Sequence, residues 1–366
     1  MKLTALLTGA SIALLSLPAE AETLYLTAGK FVDPVTAETV NRPVFVIEDG
    51  VITARGTANK LRKPSGSTSI DLKNATLVPG FIDMHTHLTS DPEDPAYFSL
   101  SFSDERQAIT GVKNARKTLL AGFTTVRNVG ASSYSDVALR DAINEGDVPG
   151  PRMYVSGPPV GILGGHCSDT NLLPSEYDLT GENVATGPWE MREKVRRNIK
   201  YGVDLIKTCS TGGVFSKGTS LGAAQGTLEE LTAIAEEAHA RGMKVASHAH
   251  GTIGIKNAIL AGIDTIEHAS ILDEDTIRLA KENGNADDDQ TRYSQRQDHT
   301  AQGVHPGRPV DKSRFFQLAW NFFQIRAQQP NASWDQEGHS RHNHCPVSVQ
   351  KPHSAQNTVQ RDQKHR

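Results

Sequence analysis

Strand-like apolar runs alternate with amphipathic helical patterns from residue 77 to residue 283, and this alternation restricts the fold more than any other feature. It predicts βα units around a parallel sheet or barrel. Predicted strands span residues 77–84, 124–129, 152–156, 203–208, 244–248 and 265–268. Predicted helices span residues 104–121, 136–145, 189–201, 227–241, 252–261 and 273–283. Six βα units are thus expected, whereas a closed barrel of this type has eight.

Helix boundary signals agree with this pattern. Thr227 and Glu230 have the spacing of a capping box at the start of one predicted helix, and Gly242 follows its end. Gly202 and Gly262 also stand between a helix and the next strand. Tight connections from helix to strand need glycine at such positions, which supports the predicted ends of the helices and starts of the strands.

Two histidines end the first predicted barrel strand. His85 and His87 are two residues apart, so both imidazoles project from one face of an extended strand. At the carboxyl end of a barrel strand, such a pair faces an open active-site mouth and suits Zn, Fe or Ni. From spacing alone, two ordinary surface or core histidines are the commoner explanation of so short a motif.

The context of this histidine pair is more specific. Residues 78–88 read Val-Pro-Gly-Phe-Ile-Asp-Met-His-Thr-His-Leu. This string resembles the first barrel strand of the amidohydrolase superfamily, especially its imidazolonepropionase-like and Xaa-Pro dipeptidase-like members, and the resemblance continues in order to about Gly284. It implies an α/β fold: a (β/α)8 TIM-type barrel over residues 77–284, incomplete here, after a small N-terminal β-sandwich domain over residues 22–76. Strand-like runs at 23–27, 44–48 and 51–54 agree with that domain.

Three further residues match metal ligands of this superfamily. Lys207 ends an apolar strand, where a buried ammonium is costly unless it is neutralised or paired. In the superfamily the matching lysine is carboxylated and its carbamate bridges two metal ions. In the alternative interpretation the lysine side chain reaches solvent or pairs with a carboxylate. His248 in His-Ala-His-Gly and His268 in Glu-His-Ala match the remaining histidine ligands. The resemblance thus implies two divalent ions, with zinc preferred, held by His85, His87, Lys207, His248 and His268.

Two more histidines are assigned to the substrate. His166 stands in Gly-Gly-His-Cys, which resembles a substrate-side loop of the superfamily, so we expect it to hydrogen-bond a scissile carbonyl or a substrate carboxylate. His250 shares a strand face with His248, and the resemblance places it near the substrate. A structural turn explains the glycine-rich segments around residues 164 and 212 equally well.

The resemblance implies hydrolysis of a C–N bond by a hydroxide that bridges the two ions. The superfamily also uses an aspartate after the eighth strand, in Gly-Thr-Asp or Gly-Ser-Asp, to ligate metal and carry a proton to the leaving amine. No such motif follows residue 284, so no catalytic residue is assigned. We expect impaired or absent turnover, with a non-catalytic product that at most binds metal as the alternative.

The last part of the sequence departs from the βα pattern. Residues 285–366 are rich in Gln, His, Arg and Asp and contain no aliphatic run of strand length. A frameshifted reading is the favoured explanation, and a disordered extension is the main alternative. A histidine-rich segment that binds metal loosely is the third.

Composition and the N-terminus bear on partners and location. The net charge of −4 indicates neither nucleic acid nor an anionic membrane as partner. Lys2, an apolar stretch and an Ala-x-Ala pattern ending at Ala21 predict a signal peptide over residues 1–21, and hence a periplasmic or secreted protein. Of the three cysteines, a Cys167 to Cys209 bridge is left open, but free thiols are favoured.

The expected substrate is a small molecule rather than a macromolecule. The resemblance favours a dipeptide of the Xaa-Pro or Xaa-Arg/Lys kind or an N-acylated amino acid. A cyclic amide such as an imidazolone is also possible, because the sequence does not reveal the loops that select the substrate. Oligomerisation also stays open.

Overall fold

Five strands form a mixed sheet at the start of the described chain. The computed structural model describes residues 23–91, 93, 98–168 and 170–283, so the predicted signal peptide and the segment 285–366 lie outside the described residues. The strands are β1 Thr23–Val32, β2 Thr39–Asn41, β3 Pro43–Glu48, β4 Val51–Thr57 and β5 Thr68–Leu77. β1 pairs antiparallel with β2 and β3 and parallel with β5, and β3 pairs antiparallel with β4.

The first predicted barrel strand has different bounds in the structure. The sequence placed one strand over residues 77–84, but β5 ends at Leu77 and the next strand, β6, spans Phe81–Thr86. Pro79 has no N–H for a ladder hydrogen bond, so the strand is interrupted between β5 and β6. Gly80 allows close packing there, because a Cβ at this position would lie 2.1 Å from the Thr124 hydroxyl oxygen. Partly buried side chains of β5 pack instead against the core of the small sheet.

The predicted βα units follow in the predicted order. After β6, the barrel strands are β7 Phe123–Asn128, β8 Arg152–Val155, β11 Leu205–Cys209, β12 Lys244–Ala249 and β13 Thr265–His268. The helices are α1 Asp104–Leu120, α2 Ser135–Glu145, α3 Pro188–Lys200, α4 Leu228–His239, α5 Thr252–Leu260 and α6 Glu274–Asn283. Two short strands, β9 Gly161–Ile162 and β10 Val184–Ala185, pair with each other in the β8 to α3 connection. Short 3₁₀ turns occur at Phe98–Ser101, His166–Ser168 and Ser175–Tyr177.

The barrel strands pair in parallel as β6-β7-β8 and as β11-β12-β13. Two backbone hydrogen bonds of 2.8 Å join these sets, from Asp204 N–H to the Val155 carbonyl and from Val160 N–H to the Lys207 carbonyl. Among the described residues, β6 and β13 each pair with a single barrel strand, so each has an open edge. Apolar β6 side chains are accordingly exposed, Phe81 by 53% and Met84 by 40%. The predicted incomplete barrel is thus confirmed for this part of the chain.

The main core lies between the barrel strands and the helices that cover them. Fully buried Ile206 and Val245 meet Leu231 of α4 in this core. Burial of each such aliphatic side chain contributes about 1.5 to 3 kcal/mol to folding. The predicted capping box of α4 is present, since Glu230 N–H donates to Thr227 Oγ1 at 3.2 Å and Thr227 N–H donates to Glu230 Oε2 at 2.8 Å. None of the described helices has the length and apolar character needed to cross a membrane.

A disulfide joins Cys167 to Cys209, and their Cα atoms lie 5.9 Å apart. The preference for free thiols was therefore wrong. The β8 to α3 connection folds back onto the end of β11, and a Cβ at Gly161 would lie only 2.5 Å from the Cys167 Cβ, so glycine permits this approach. Contacts across a separation of 42 residues leave no local sequence signal. Cys345 lies outside the described residues.

Candidate metal centre

Six histidines and a lysine meet at the carboxyl ends of the barrel strands. They are His85 on β6, His87 just after it, His166 in the β8 to α3 connection, Lys207 on β11, His248 on β12, His250 just after it, and His268 at the end of β13. Neighbouring imidazole centroids lie 4.0 to 5.3 Å apart, so the six rings form one connected group, here called the histidine cluster. The structure therefore brings together all the residues that the sequence assigned to metal or substrate, because parallel barrel strands end at one rim.

Burial keeps five of these imidazoles neutral. Burial, together with the nearby charge of Lys207, lowers the pKa of His87 and His268 to about 3 and that of His166 to about 4. Burial also lowers the pKa of His85 and His248. Neutral imidazole is the form that binds a metal ion, so the cluster suits a cation at neutral pH.

Hydrogen bonds determine which ring nitrogen His85 and His87 present. His85 Nδ1 lies 2.8 Å from Glu267 Oε2, and His87 Nδ1 lies 3.1 Å from the Gly130 carbonyl oxygen. Both partners are acceptors, so each Nδ1 carries the proton and each Nε2 keeps its lone pair. An imidazole held in this way by a carboxylate or a carbonyl is the usual arrangement of a metal-ligating histidine.

The tightest group of ligand atoms among the described residues comes from His248, His250 and His268, whose atoms lie within 4.8 Å of one another. His248 Nε2 donates to the Gly212 carbonyl oxygen at 3.1 Å, which leaves its Nδ1 for a ligand. The sequence assigned His250 to the substrate. In the structure its ring centroid lies 4.6 Å from that of His248 and 4.8 Å from that of His268, and the rings of His248 and His268 are also 4.8 Å apart. That assignment stays a prediction.

Lys207 lies in the electrostatic environment of the cluster, since its charge lowers the pKa of His85, His87, His166, His248 and His268. It is 3% exposed, so the alternative of a lysine that reaches solvent is excluded. Burial lowers the pKa of its ammonium to about 8, although the Glu267 carboxylate opposes this change. A neutral amine is the form that adds CO2, so carboxylation of Lys207 is chemically accessible and stays a prediction.

The ring of His166 packs against the glycine-rich segment after β11. A Cβ at Gly213 would lie 2.3 Å from His166 Cε1, so this position requires glycine. The backbone N–H of His166 donates to Gln225 Oε1 at 2.8 Å, which fixes the loop. Its Nδ1 is buried and has no hydrogen-bond partner among the described groups, so it can serve a bound molecule.

Glu267 contacts the cluster through His85, Arg127 contacts Glu267, and sequence reasoning missed both. Glu267 is fully buried, and its Oε1 accepts a hydrogen bond from Arg127 Nη2 at 2.7 Å. Burial alone would raise the pKa of Glu267, but the hydrogen bond from His85 and the charges of Lys207 and Arg127 lower it to about 2. The carboxylate is therefore ionised at neutral pH. An acidic residue inside the apolar strand β13 was the available signal.

The backbone of β13 turns sharply at its end. His268 has a φ of 73° and the following Ala269 a φ of 46°, both in the left-handed region. In a regular strand His268 would point away from the face that carries Glu267, whereas here both side chains reach the cluster. Such a conformation costs about 1 to 3 kcal/mol for a residue other than glycine, and it is typical of functional sites.

A second buried network holds the chain that follows β6. Asn128 Oδ1 accepts a hydrogen bond from Leu88 N–H at 2.7 Å, and Asn128 Nδ2 donates to Asp136 Oδ2 at 3.2 Å. Burial raises the pKa of Asp136 to about 6, although donors including Asn128 and Gly157 oppose the increase. This network fixes the backbone next to His87, and the sequence analysis did not select either polar residue.

The residues present fit a divalent cation of borderline softness. The neutral imidazole nitrogens have lone pairs directed by their hydrogen bonds, and a carboxylated lysine would add oxygen donors. Nitrogen and oxygen donors in this combination suit zinc and neighbouring transition metals better than calcium or magnesium.

The chain is similar to known hydrolases over most of its described length. A model described as the Amidohydrolase family matches residues 76–288. The ochratoxinase of Aspergillus niger is 32% identical over 284 residues, which cover 72% of this chain and 58% of the ochratoxinase.

Solved structures give the same result. A Xaa-Pro dipeptidase with methionine bound in its active site is 36% identical with a TM-score of 0.65, over 72% of this chain and 65% of that one. A prolidase in complex with N-methylphosphonate-L-proline is 28% identical with a TM-score of 0.64, over 72% of this chain and 64% of that one. The chain spans 58 to 65% of the length of these three relatives.

Proposed function

This chain belongs to the amidohydrolase family, and from that premise we propose that its histidine cluster holds divalent metal for the hydrolysis of a C–N bond. The observation that carries the proposal is the convergence of neutral imidazoles from β6, β12 and β13 around the buried Lys207. A divalent ion bound there supplies a Lewis acid that polarises a carbonyl and lowers the pKa of water towards neutrality.

The metal would be held by the five residues that the sequence selected, His85, His87, Lys207, His248 and His268. The hydrogen bonds at Nδ1 of His85 and His87 direct Nε2 of both rings to a ligand. Lys207 would contribute after carboxylation, because its ammonium would otherwise repel a cation. We propose two ions, with zinc preferred.

The remaining histidines would orient the substrate. The buried Nδ1 of His166 can hydrogen-bond the oxygen of the scissile carbonyl or a carboxylate of the substrate. His250 is held by a hydrogen bond of 2.9 Å between its Nδ1 and Ser270 Oγ, which sets the direction of its ring in the cluster. Both residues would act on binding and alignment of the amide.

A dipeptide or an N-acylated amino acid is the substrate class that we propose. A dipeptidase, a prolidase and an ochratoxinase are among the relatives of this chain, and the prolidase binds a phosphonate analogue that carries proline. A cyclic amide such as an imidazolone is the alternative substrate, which the assay below would reveal.

We propose that turnover by this chain is low. Among the described residues, Glu267 is the carboxylate that hydrogen-bonds to the cluster, and its oxygens are engaged by His85 and Arg127. It is therefore poorly placed to carry a proton to a leaving amine. A product that binds metal without turnover is the second candidate, and the open edges of β6 and β13 favour it.

The test uses the purified full chain loaded with zinc. Metal per chain is measured by atomic emission, and hydrolysis is followed with Xaa-Pro and Xaa-Arg dipeptides, N-acyl phenylalanine and an imidazolone. We expect bound zinc in the parent chain and its loss in His248→Asn and His268→Asn. His239→Asn is the matched control, since His239 Nε2 pairs with Asp264 Oδ2 at 2.7 Å away from the cluster.

The outcomes separate the candidates. Zinc bound at the cluster together with slow hydrolysis of one substrate class supports the proposed function and names the substrate. Zinc bound with no hydrolysis of any substrate supports the second candidate. Absence of bound zinc, or equal zinc in the parent chain and both cluster variants, would refute a metal centre at these residues.

We also propose export to the periplasm or the medium. The signal-like sequence before residue 22 is the main support, and the Cys167 to Cys209 disulfide is a second support because such bonds persist in oxidising compartments. Fractionation of cells that express the full chain tests it, and recovery only in the cytoplasm with an uncleaved N-terminus would contradict it.

A further inference from the structure

The carboxylate of Glu267 joins two parts of the chain that are far apart in sequence. Its Oε2 accepts from Nδ1 of His85, 182 residues away, at 2.8 Å. Its Oε1 accepts from Arg127 Nη2 at 2.7 Å and from Thr265 Oγ1 at 2.9 Å. Both oxygens are therefore engaged, which removes the freedom of this side chain to rotate.

Arg127 is itself held firmly. Its Nε donates to the carbonyl of Met84 on β6 at 2.7 Å, and its Nη1 donates to Thr265 Oγ1 on β13 at 3.1 Å. The guanidinium thus spans the barrel interior from β6 to β13, and its side chain is 10% exposed. A planar group with several fixed hydrogen bonds is a rigid support for a carboxylate.

We infer that Glu267, supported by Arg127, is a positioning residue that keeps the His85 proton on Nδ1 and so presents Nε2 of His85 to the metal. The inference rests on the proposed metal centre. A buried acceptor at Nδ1 excludes the other tautomer, in which a protonated Nε2 could not bind a cation. Loss of such a partner lowers metal affinity about 10-fold to 100-fold in known sites.

The first experiment measures zinc affinity by competition with a chelator, using the full chain and Glu267→Gln. Glutamine keeps the size of the side chain, but only one of its two terminal atoms accepts hydrogen bonds. Arg127 and Thr265 both donate to Oε1 of Glu267, so the glutamine oxygen is expected on that side, and the N–H then faces Nδ1 of His85 and favours the other tautomer. We expect zinc to bind about 10-fold to 100-fold more weakly in this variant. Glu237→Gln is the matched control, because Glu237 is a buried acid that pairs with Arg196 at 2.8 Å outside the cluster.

The second experiment does not depend on the folding of a variant. Nitrogen-15 NMR of isotope-labelled, metal-free parent protein reports the tautomer of each ring, and through-bond correlation of the ring with its own backbone resonances assigns the His85 signal. We expect the Nδ1–H form for His85 at neutral pH. The Nε2–H form at this residue overturns the inference.

The two proposals fail in different ways. A parent chain that binds no zinc refutes the proposed metal centre, and the NMR result still decides whether Glu267 sets the tautomer. A parent chain that binds zinc with the same affinity as Glu267→Gln overturns the positioning role and leaves the metal centre standing. Equal weakening in Glu267→Gln and Glu237→Gln also overturns it, since any buried acid would then have the same effect.

Discussion

Removal of the Cys167 to Cys209 disulfide should destabilise the protein and disturb the substrate side of the cluster more than the metal side. The bond closes a loop across a separation of 42 residues. The loop-closure entropy that this removes from the unfolded chain corresponds to about 4 kcal/mol at 25 °C. For a domain of this size, such a loss lowers the unfolding temperature by about 10 °C.

The variant for this prediction is Cys167→Ala/Cys209→Ala, because alanine adds no buried hydroxyl in place of the sulfurs. Calorimetry and urea unfolding of the variant are compared with those of the parent chain and of Cys345→Ala, which leaves the bridge intact. Reduction of the parent chain with dithiothreitol should reproduce the loss in the double variant and should have no further effect on that variant.

The same double variant should alter substrate binding. Cys167 follows His166 directly, and Cys209 lies two residues after Lys207 on β11, so the bridge holds the His166 loop against the strand that carries the lysine. We expect a higher KM with nearly unchanged zinc per chain. Equal unfolding temperatures for the oxidised parent, the reduced parent and the double variant would refute the reasoning, and so would a loss as large in Cys345→Ala.

Three other changes probe the site and its supports. The folded-state pKa of Asp136, raised to about 6 from 3.8, means that its ionisation opposes folding, so stability present at acid pH is lost as pH rises through this window. Urea unfolding should therefore show that the stability of Asp136→Asn, relative to that of the parent chain, rises by about 2.4 kcal/mol between pH 4 and pH 7, and a difference independent of pH would contradict this. Gly213→Ala places a methyl group against the His166 ring, so kinetics should show a raised KM with unchanged zinc content. Lys207→Met removes a buried ammonium and should lower zinc per chain without lowering the unfolding temperature of the metal-free protein, whereas unchanged zinc would remove Lys207 from the ligand set.

Local patterns in the sequence predicted most of the barrel. The helix from Leu228 to His239 was predictable because its apolar residues recur at helical spacing after a capping box. The strand β5 was not, because its alternation of apolar and polar residues is weak and it pairs with β1, more than 40 residues earlier. The break at Pro79 and Gly80 also lies inside an apolar run, which conceals the end of one sheet and the start of the next.

In the site too, some residues were predictable from the sequence and others were not. His85, His87, His248 and His268 were predictable because each stands at the end of an apolar strand. Their supports were not, since the contact between His85 and Glu267 joins residues 182 positions apart and depends on how the curved set of strands brings β6 and β13 together. The left-handed backbone at His268 was not predictable either, because only a few per cent of residues other than glycine have a positive φ.

The position of the cluster in the barrel links metal binding to the stability of the fold. His85 and His87 come from β6, and His268 comes from β13, the two strands with open edges among the described residues. A cation held by all three would tie these strands together across the barrel, as the contact between His85 and Glu267 already does. A ligand that binds only the folded chain adds RT ln(1 + [L]/Kd) to the free energy of unfolding, so zinc at 100 times its Kd contributes about 2.7 kcal/mol. Metal should therefore stabilise this barrel whether or not the chain turns over substrate.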